Sequence, residues 1–215
     1  SSDELLRRVK DLKDRDLIQS RSKWRAVLPH AIANRLAKRA LETISKDKIH
    51  ETITCSGNER LIKSFTRRLS YLHDSEVAAE IVSEWLAADG WIGEAIFNLN
   101  EFGIEVLQNV TPVCPDKVLK MLEKAADDPE KGEWFTSREN PKFGQLVRLL
   151  RHLAYEAKTF RRSASLIARF AASESKDENN NSIRDYLKSL FFIYLSGTHA
   201  SLEDRAEFIE ALLSS

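Results

Sequence analysis

The chain has 215 residues, of which 31% are charged and 42% hydrophobic, and its formal net charge at pH 7 is zero. This is the composition of an ordinary globular protein with one domain or two small ones, and no apolar run approaches the roughly 20 residues of a membrane-spanning helix. The charge is unevenly placed, since residues 1–44 hold 11 Lys or Arg against 6 Asp or Glu, whereas residues 45–215 hold 22 against 27, which indicates two units with different surroundings.

The first unit has the pattern of a helix, a small β-hairpin and a second helix. Four apolar residues within residues 3–15 share one helical face: Leu5, Leu6, Val9 and Leu12. Two short β-prone runs, residues 17–19 and 24–27, flank a polar tip and predict the hairpin. Pro29 then opens a helix at a position where its missing N–H costs nothing, and His30 lies in the first turn. This order of elements is that of the closing half of a winged helix.

The second unit predicts a series of helices joined by short loops. Apolar residues recur at helical spacing within residues 45–56, 58–69, 77–86, 100–107, 118–125, 143–155, 160–172, 183–195 and 201–214. Residues 91–100 predict a packed loop, and residues 127–141 and 174–181 predict polar loops. Side chains suited to begin helices are Asn58, Asp74 and Asn100, together with Ser201 and Asp204 as a variant of the capping box.

Residues 183–195 are apolar on almost all sides, and we expect them to form the most buried helix. Helices at residues 160–172 and 201–214 would cover it. Antiparallel helix pairs of roughly 35 to 45 residues stack in this way in helical-repeat proteins, although the sequence shows no strict repeat. We therefore predict an all-α fold, with a partial winged helix and its small β-hairpin at residues 1–44 and a HEAT/TPR-like helical array at residues 45–215.

The chain carries no pattern typical of catalysis or metal binding. Two cysteines, Cys55 and Cys114, are too few for a disulfide framework or a zinc site, and we expect both to be buried in a reducing cytosol. Four scattered histidines lack metal-ligand spacing: His50, His73, His152 and His199. Glutamates at 76, 80 and 84 are typical of a solvated helix face. We therefore expect no catalytic residue, no bound metal and no enzymatic activity in this chain.

Four stretches resemble a known family. They are RAVLPHAIANRLA at residues 25–37, LSYLHD at 69–74, EWL at 84–86 and FIYLSGTHA at 192–200. Together they resemble the helical region that follows the ATPase core in bacterial STAND-type P-loop NTPases, which are signal-transduction ATPases that include antiphage sensors. The resemblance implies an ATPase domain upstream, and no G-x-x-x-x-G-K-[ST] motif is present here. The chain begins with Ser1 and its single methionine is Met121, so we expect it to be a piece of a longer protein.

The same resemblance implies a role for His30. In STAND ATPases the winged helix lies against the nucleotide, and a Met-His-Asp motif offers its histidine to the β-phosphate of ADP. Leu28, Pro29 and His30 fall at the corresponding place, and Ala31 replaces the aspartate. The free N–H groups and dipole of a helix N-terminus favour an anion, to which an imidazole adds a donor. His30 is thus a candidate nucleotide sensor, with local capping or packing as the alternative, and ATP, ADP and Mg²⁺ would be ligands of the parent protein alone.

Two functional hypotheses follow. The first is a non-catalytic regulatory module that couples ligand sensing to the upstream NTPase domain, with other domains of the parent protein and a protein ligand as partners. The alternative is a winged-helix transcription regulator with a helical sensor domain. Its basic residues would be Arg7, Arg8, Lys10, Lys13, Arg15, Arg21, Lys23 and Arg25. Aspartates at 11, 14 and 16 dilute this patch, so we do not expect specific DNA binding. We expect a cytoplasmic protein without a membrane partner.

Overall fold

The computed structural model describes residues 2–15, 18–21, 24–27, 30–55, 57–175 and 182–214, with side chains for residues 4–15, 32–55, 57–175 and 182–214. Most of these residues are α-helical. Residues 2–43 contain α1 (Ser2–Asp14), β1 (Ile18–Arg21), β2 (Trp24–Val27) and α2 (His30–Thr43). The following helices are α3 (Lys46–Ile49), α4 (Glu59–Leu69), α5 (Glu76–Trp85), α6 (Trp91–Glu94), α7 (Glu101–Val110), α8 (Pro115–Ala126), α9 (Gly132–Phe135), α10 (Phe143–Tyr155), α11 (Ala157–Ala172), α12 (Ile183–Ser189) and α13 (Leu202–Leu213).

Two short strands lie where the sequence predicts a hairpin. Strands β1 and β2 pair in antiparallel fashion, with Ile18 opposite Val27 and Arg21 opposite Trp24. Helix α1 contacts β1, and α2 contacts β2. The apolar face of α1 is largely uncovered, because Leu5 is 66% exposed and Leu6 is 55% exposed. This face is therefore open to another contact.

Side-chain caps fix several helix starts. Asn58 accepts a hydrogen bond from the Leu61 N–H at 3.2 Å, and Asn100 accepts one from the Gly103 N–H at 2.8 Å. The hydroxyl of Ser201 likewise accepts from the Asp204 N–H at 3.0 Å. These three predicted starts are confirmed.

The predicted cap at Asp74 is wrong, because the hydroxyl of Ser75 accepts from the Ala78 N–H at 3.3 Å and so caps α5. Asp74 instead pairs with Lys38 of α2, at 2.7 Å from its Nζ atom. The hydrogen bond from Lys38 is the main reason why the pKa of Asp74 lies below its ordinary value. The Asp74 carboxylate thus binds the distant Lys38 instead of capping the helix that follows it.

Two segments differ in detail from their predictions. Residues 91–100 do not form a loop, because they contain α6 and a 3₁₀ turn at Ile96–Asn98. Residues 45–56 contain α3 followed by a π-helical turn at His50–Thr54.

Cys55 is exposed, so the predicted burial of this thiol is wrong, and Cys114 is half-buried. Among the described residues, no helix has both the length and the apolar character needed to cross a bilayer.

Helices about 40 residues apart in the sequence pack against each other. Helix α4 packs on α7 and α7 on α10, while α8 packs on α11 and α11 on α13. Helix α2 contacts α5 in the same way. A cluster of buried apolar side chains runs through these contacts from Leu41 to Phe208. One connected apolar core therefore joins helices that are distant in the sequence.

Ion pairs also join segments that lie about 40 residues apart. The paired residues lie between 36 and 46 positions apart: Lys38–Asp74, Lys46–Glu84, Lys142–Glu101, Arg162–Glu123, Arg162–Asp116, Arg169–Asp127 and Arg161–Asp204. Most of these side chains are substantially exposed, so each pair contributes little to stability. Their regular spacing instead favours one alignment of neighbouring helices over its alternatives.

Three glycines, Gly90, Gly93 and Gly132, each approach the carbonyl group six residues earlier, and two of these contacts lie 39 residues apart. A Cβ atom on Gly93 would overlap the carbonyl oxygen of Ala87, and a Cβ atom on Gly132 would overlap the carbonyl oxygen of Ala126. In both places the glycine lies six residues after an alanine, which is Ala87 just past the end of α5 or Ala126 at the end of α8. The chain therefore makes the same tight connection after α5 and after α8, and only glycine fits there. This is a structural repeat that residue identities alone scarcely reveal.

We expect Gly132→Ala to lower the free energy of unfolding by about 1 to 3 kcal/mol, because the added methyl group meets rigid backbone. Gly144, within α10, is the matched control, since a Cβ atom there would meet nothing within 4 Å. Gly144→Ala should leave stability unchanged or raise it by up to about 1 kcal/mol. Urea denaturation followed by circular dichroism measures both. Equal effects of the two substitutions would contradict the close approach at Gly132.

The predicted helix at residues 183–195 is wrong beyond Ser189. Leu190 is fully buried, but Leu195 is 98% exposed, and Ile193 and Tyr194 are also exposed. The guanidinium of Arg205 donates to the carbonyl oxygens of Leu190 at 3.4 Å and Phe192 at 2.7 Å. These carbonyls thus find a partner outside the helix, which allows α12 to end early. The apolar run after Phe191 therefore projects from the surface.

Candidate protein-binding groove

A groove of about 620 Å³ lies between α8 and the segment that joins α5 to α6. One wall is the end of α5 and its continuation, with Leu86, Ala87 and Ala88. The opposite wall is α8, with Met121 and Ala125 near the floor. Small side chains on the first wall leave room between the helices. The groove is therefore open and largely apolar at its base.

Local contacts hold the groove in shape. The Sγ atom of Cys114 lies 3.7 Å from the hydroxyl of Ser83 and 3.4 Å from the carbonyl oxygen of Ala79, so α5 and the start of α8 touch at one end. The tight connection at Gly93 holds α6 against the end of α5. The aromatic ring of Phe97 packs edge-on against buried Phe135, with ring centroids 5.8 Å apart. The floor is thus part of the main core rather than a mobile surface loop.

Helix α8 carries an acidic stripe and a basic stripe, and only the acidic one is paired with a neighbouring helix. Its acidic stripe faces α11, where Glu123 pairs with Arg162 at 2.6 Å and Asp127 pairs with Arg169 at 2.5 Å. The hydrogen bonds that Arg162 donates to the Glu123 carboxylate are the main reason why the pKa of Arg162 is raised. The acidic residues of α8 are therefore engaged by the neighbouring helix.

The second stripe consists of three exposed lysines that line the groove: Lys117, Lys120 and Lys124. None of the three forms an ion pair with a residue that the structure describes, in contrast to the lysines at the other helix contacts. The ammonium group of Lys131 lies 5.1 Å from the centre of the Phe97 ring, at the edge of the groove. Positive charge therefore collects along one side of an apolar cleft.

The groove also contains two carboxylates. Glu94 is exposed on α6, and Asp128 follows α8. One carboxylate oxygen of Asp128 accepts hydrogen bonds from the N–H groups of Glu130 at 3.0 Å and Lys131 at 2.8 Å, so this side chain is used to shape the loop after α8. The lysines outnumber these carboxylates, and the groove is basic overall.

His30, the site residue predicted from the sequence, is not among the residues that line this groove. His30 is the first residue of α2, its side chain is outside the described residues, and Leu28 and Pro29 are outside them as well. The scattered histidines do not converge, and His199 packs against the Tyr155 ring at a centroid distance of 4.2 Å. In the part of the chain with described side chains, no three His, Cys, Asp or Glu residues are grouped closely enough to hold a metal ion.

Sequence reasoning missed the groove, although one signal was present. Lysines at positions 117, 120 and 124 recur at helical spacing and share a face of α8. The wall opposite that face comes from a distant segment, which periodicity alone does not place.

Comparison with models of known protein families, with curated proteins and with solved structures finds no match for this chain. Its function is therefore inferred from its own residues and contacts.

Proposed function

We propose that this chain is a non-catalytic regulatory module of a STAND-type NTPase, which binds a protein and passes that event to a nucleotide-binding domain. The observation that carries the proposal is the packing between helices that lie about 40 residues apart in the sequence. Ion pairs join several of the same helices. Such packing supports a HEAT/TPR-like array at residues 45–215, and arrays of this kind present extended surfaces to other proteins. A role in bacterial defence or signalling follows from the family resemblance.

Residues 1–44 would be the closing half of a winged helix in this proposal. The order of α1, β1, β2 and α2 and the antiparallel pairing of the strands support it. The exposed leucines of α1, Leu5 and Leu6, would contact the other half of that domain, because an uncovered apolar helix face favours a partner. Two domains, 1–44 and 45–215, would thus have different neighbours in the parent protein.

Helix α2 would couple protein binding by the helical array to nucleotide binding near His30. Its C-terminal half joins the helical array, since Leu41 belongs to the core and Lys38 pairs with Asp74. Its N-terminus begins at His30, and the first turn holds no acidic residue that would repel an anion. A protein bound to the array would favour an arrangement of α2 that differs from the one held by nucleotide. This is a shift between two populations.

The alternative of sequence-specific DNA binding has less support. In α1 and the turn that follows it, Arg8 pairs with Glu4 at 2.7 Å and Arg15 pairs with Asp11 at 3.1 Å. These neighbouring carboxylates reduce the positive field that phosphate contacts need. We therefore place the regulatory module first.

We expect the isolated chain to hydrolyse no ATP and to bind ADP negligibly, because one histidine at a helix N-terminus cannot replace a phosphate-binding loop. Calorimetric titration with ADP and a phosphate-release assay measure the two activities. Turnover above background, or ADP binding at sub-micromolar concentration, would contradict the proposal.

The reading frame upstream of Ser1 provides a second test. It should encode a G-x-x-x-x-G-K-[ST] motif between a strand and a helix. If that motif is absent from the parent protein, the assignment to STAND-type NTPases is wrong.

A further inference from the structure

We propose that the groove between α5 and α8 binds an acidic, amphipathic helix of a partner protein. This inference rests on the protein-binding role proposed above and names the chemistry of the ligand. The lysine stripe of α8 would pair with carboxylates on that helix, and the apolar floor would receive its apolar side chains. The partner is therefore defined by charge and by periodicity.

Charge complementarity carries the argument. Lys117, Lys120 and Lys124 are unpaired with described residues, whereas the acidic stripe on the same helix is paired with α11. Basic side chains at other helix contacts also have partners, for example Lys46 with Glu84 at 3.1 Å. A row of lysines beside an apolar cleft thus lacks the carboxylates that a neighbouring helix supplies elsewhere in this fold. A bound acidic helix would supply them.

The geometry of the groove fits a helix. Lys117 and Lys124 are seven residues apart, which corresponds to about 10 Å along the axis of α8. A partner helix with carboxylates at matching i, i+3 and i+7 positions would place them along the same length. Alanines at 87 and 88 on the facing wall allow close approach of a second backbone, and Phe97 and Met121 form part of the lining beneath.

A nucleic acid fits the groove less well than an acidic helix. Its sugar–phosphate backbone would gain nothing from the apolar floor. Base stacking needs an open aromatic face, but the Phe97 ring lies below Lys131 and against Phe135. An amphipathic helix uses both the charge and the floor, as in other grooves that receive helices.

Selection from a displayed library of random peptides of about 16 residues tests the inference on the intact chain. The library is selected on the wild type and counter-selected on the double variant Lys120→Ala/Lys124→Ala. We expect the enriched peptides to combine Asp or Glu with apolar residues at helical spacing. A lack of enrichment, or enrichment of peptides without acidic residues, would overturn the inference.

Affinities of the best enriched peptide, measured by fluorescence anisotropy, separate a local site from diffuse attraction. The Lys120→Ala/Lys124→Ala variant should bind it roughly tenfold more weakly, and added salt should weaken binding to the wild type. The matched control is Lys10→Ala/Lys13→Ala, which removes two exposed lysines of α1 and should leave affinity unchanged. An equal loss in both variants would overturn the inference.

A single-stranded oligonucleotide is the competing probe. If it binds more tightly than the peptide and loses affinity in Lys120→Ala/Lys124→Ala, the groove belongs to a nucleic acid and the inference is wrong. Thermal unfolding of both double variants should match the wild type, because these lysines have no ion pair to lose among described residues. Failure of peptide binding would leave the link to an upstream ATPase standing, since the upstream motif tests that link separately.

Discussion

Replacing Leu190 with alanine is expected to lower the free energy of unfolding by about 3 to 5 kcal/mol. Leu190 is 0% exposed and belongs to the core between α11, α12 and α13. A neighbouring aromatic cluster is closely packed, since the rings of Phe191 and Phe208 stack at 5.7 Å and both pack against Phe160. The cavity left by the substitution would therefore collapse poorly. Urea denaturation with a two-state fit measures the change.

Leu195→Ala is the matched control in the same segment. It removes the same number of atoms from a side chain that is 98% exposed, so we expect a change within about 0.5 kcal/mol. If Leu195→Ala destabilised the chain as much as Leu190→Ala, the segment after Phe191 would be buried in solution. If Leu190→Ala cost less than about 1 kcal/mol, the core placement of Leu190 would be wrong.

Glu174→Gln should lower the free energy of unfolding by about 2 to 4 kcal/mol. The Glu174 carboxylate is fully buried and accepts hydrogen bonds from the N–H groups of Ile183 at 2.6 Å and Arg184 at 3.0 Å. It also accepts from the Ser182 hydroxyl at 3.0 Å and pairs with Arg138 at 3.2 Å. The guanidinium of Arg184 lies 3.3 Å from the same carboxylate. The substitution leaves Arg138 and Arg184 without their carboxylate and places an amide N–H₂ among donors.

The effect of Glu174→Gln should depend on pH. Burial by itself raises the pKa of Glu174, but the N–H groups of Ile183 and Arg184, the Ser182 hydroxyl and Arg138 together bring it below its ordinary value of 4.5. A carboxylate with a lowered folded-state pKa stabilises the fold above its unfolded-state pKa, and this contribution is lost as pH falls through the folded-state pKa. The difference between wild type and variant should therefore be constant from pH 5 to 7 and shrink below about pH 4.5.

Asp127→Asn is the control for the loss of an interhelix ion pair. Asp127 pairs with Arg169 at 2.5 Å, but its side chain is 69% exposed, and an exposed pair contributes at most about 1 kcal/mol. Denaturant melts of both variants at pH 7 and at pH 3.5 compare the two sites. A pH-independent loss in Glu174→Gln would show that the carboxylate charge is not what stabilises this loop.

Glu174 illustrates a residue that periodicity alone does not identify. It lies in a polar stretch that predicts a loop, and its partners include Arg138, which is 36 positions away. The carboxylate accepts hydrogen bonds from the N–H groups at the start of α12, which have no partner within the helix, and it is buried against them. Its role depends on contacts that form only in the folded chain, so no local sequence pattern predicts it.

The sequence by itself determined the helical class, most helix positions and the caps at Asn58, Asn100 and Ser201, because these depend on apolar spacing and on hydrogen bonds between residues close in the chain. Only the tertiary structure decided the rest. Asp74 gives up its predicted cap for Lys38, and Arg205 takes the carbonyls after α12, so that apolar residues beyond Phe191 become exposed. The groove, too, forms from segments that meet only after folding. Such features depend on contacts between distant residues, which local propensity does not contain.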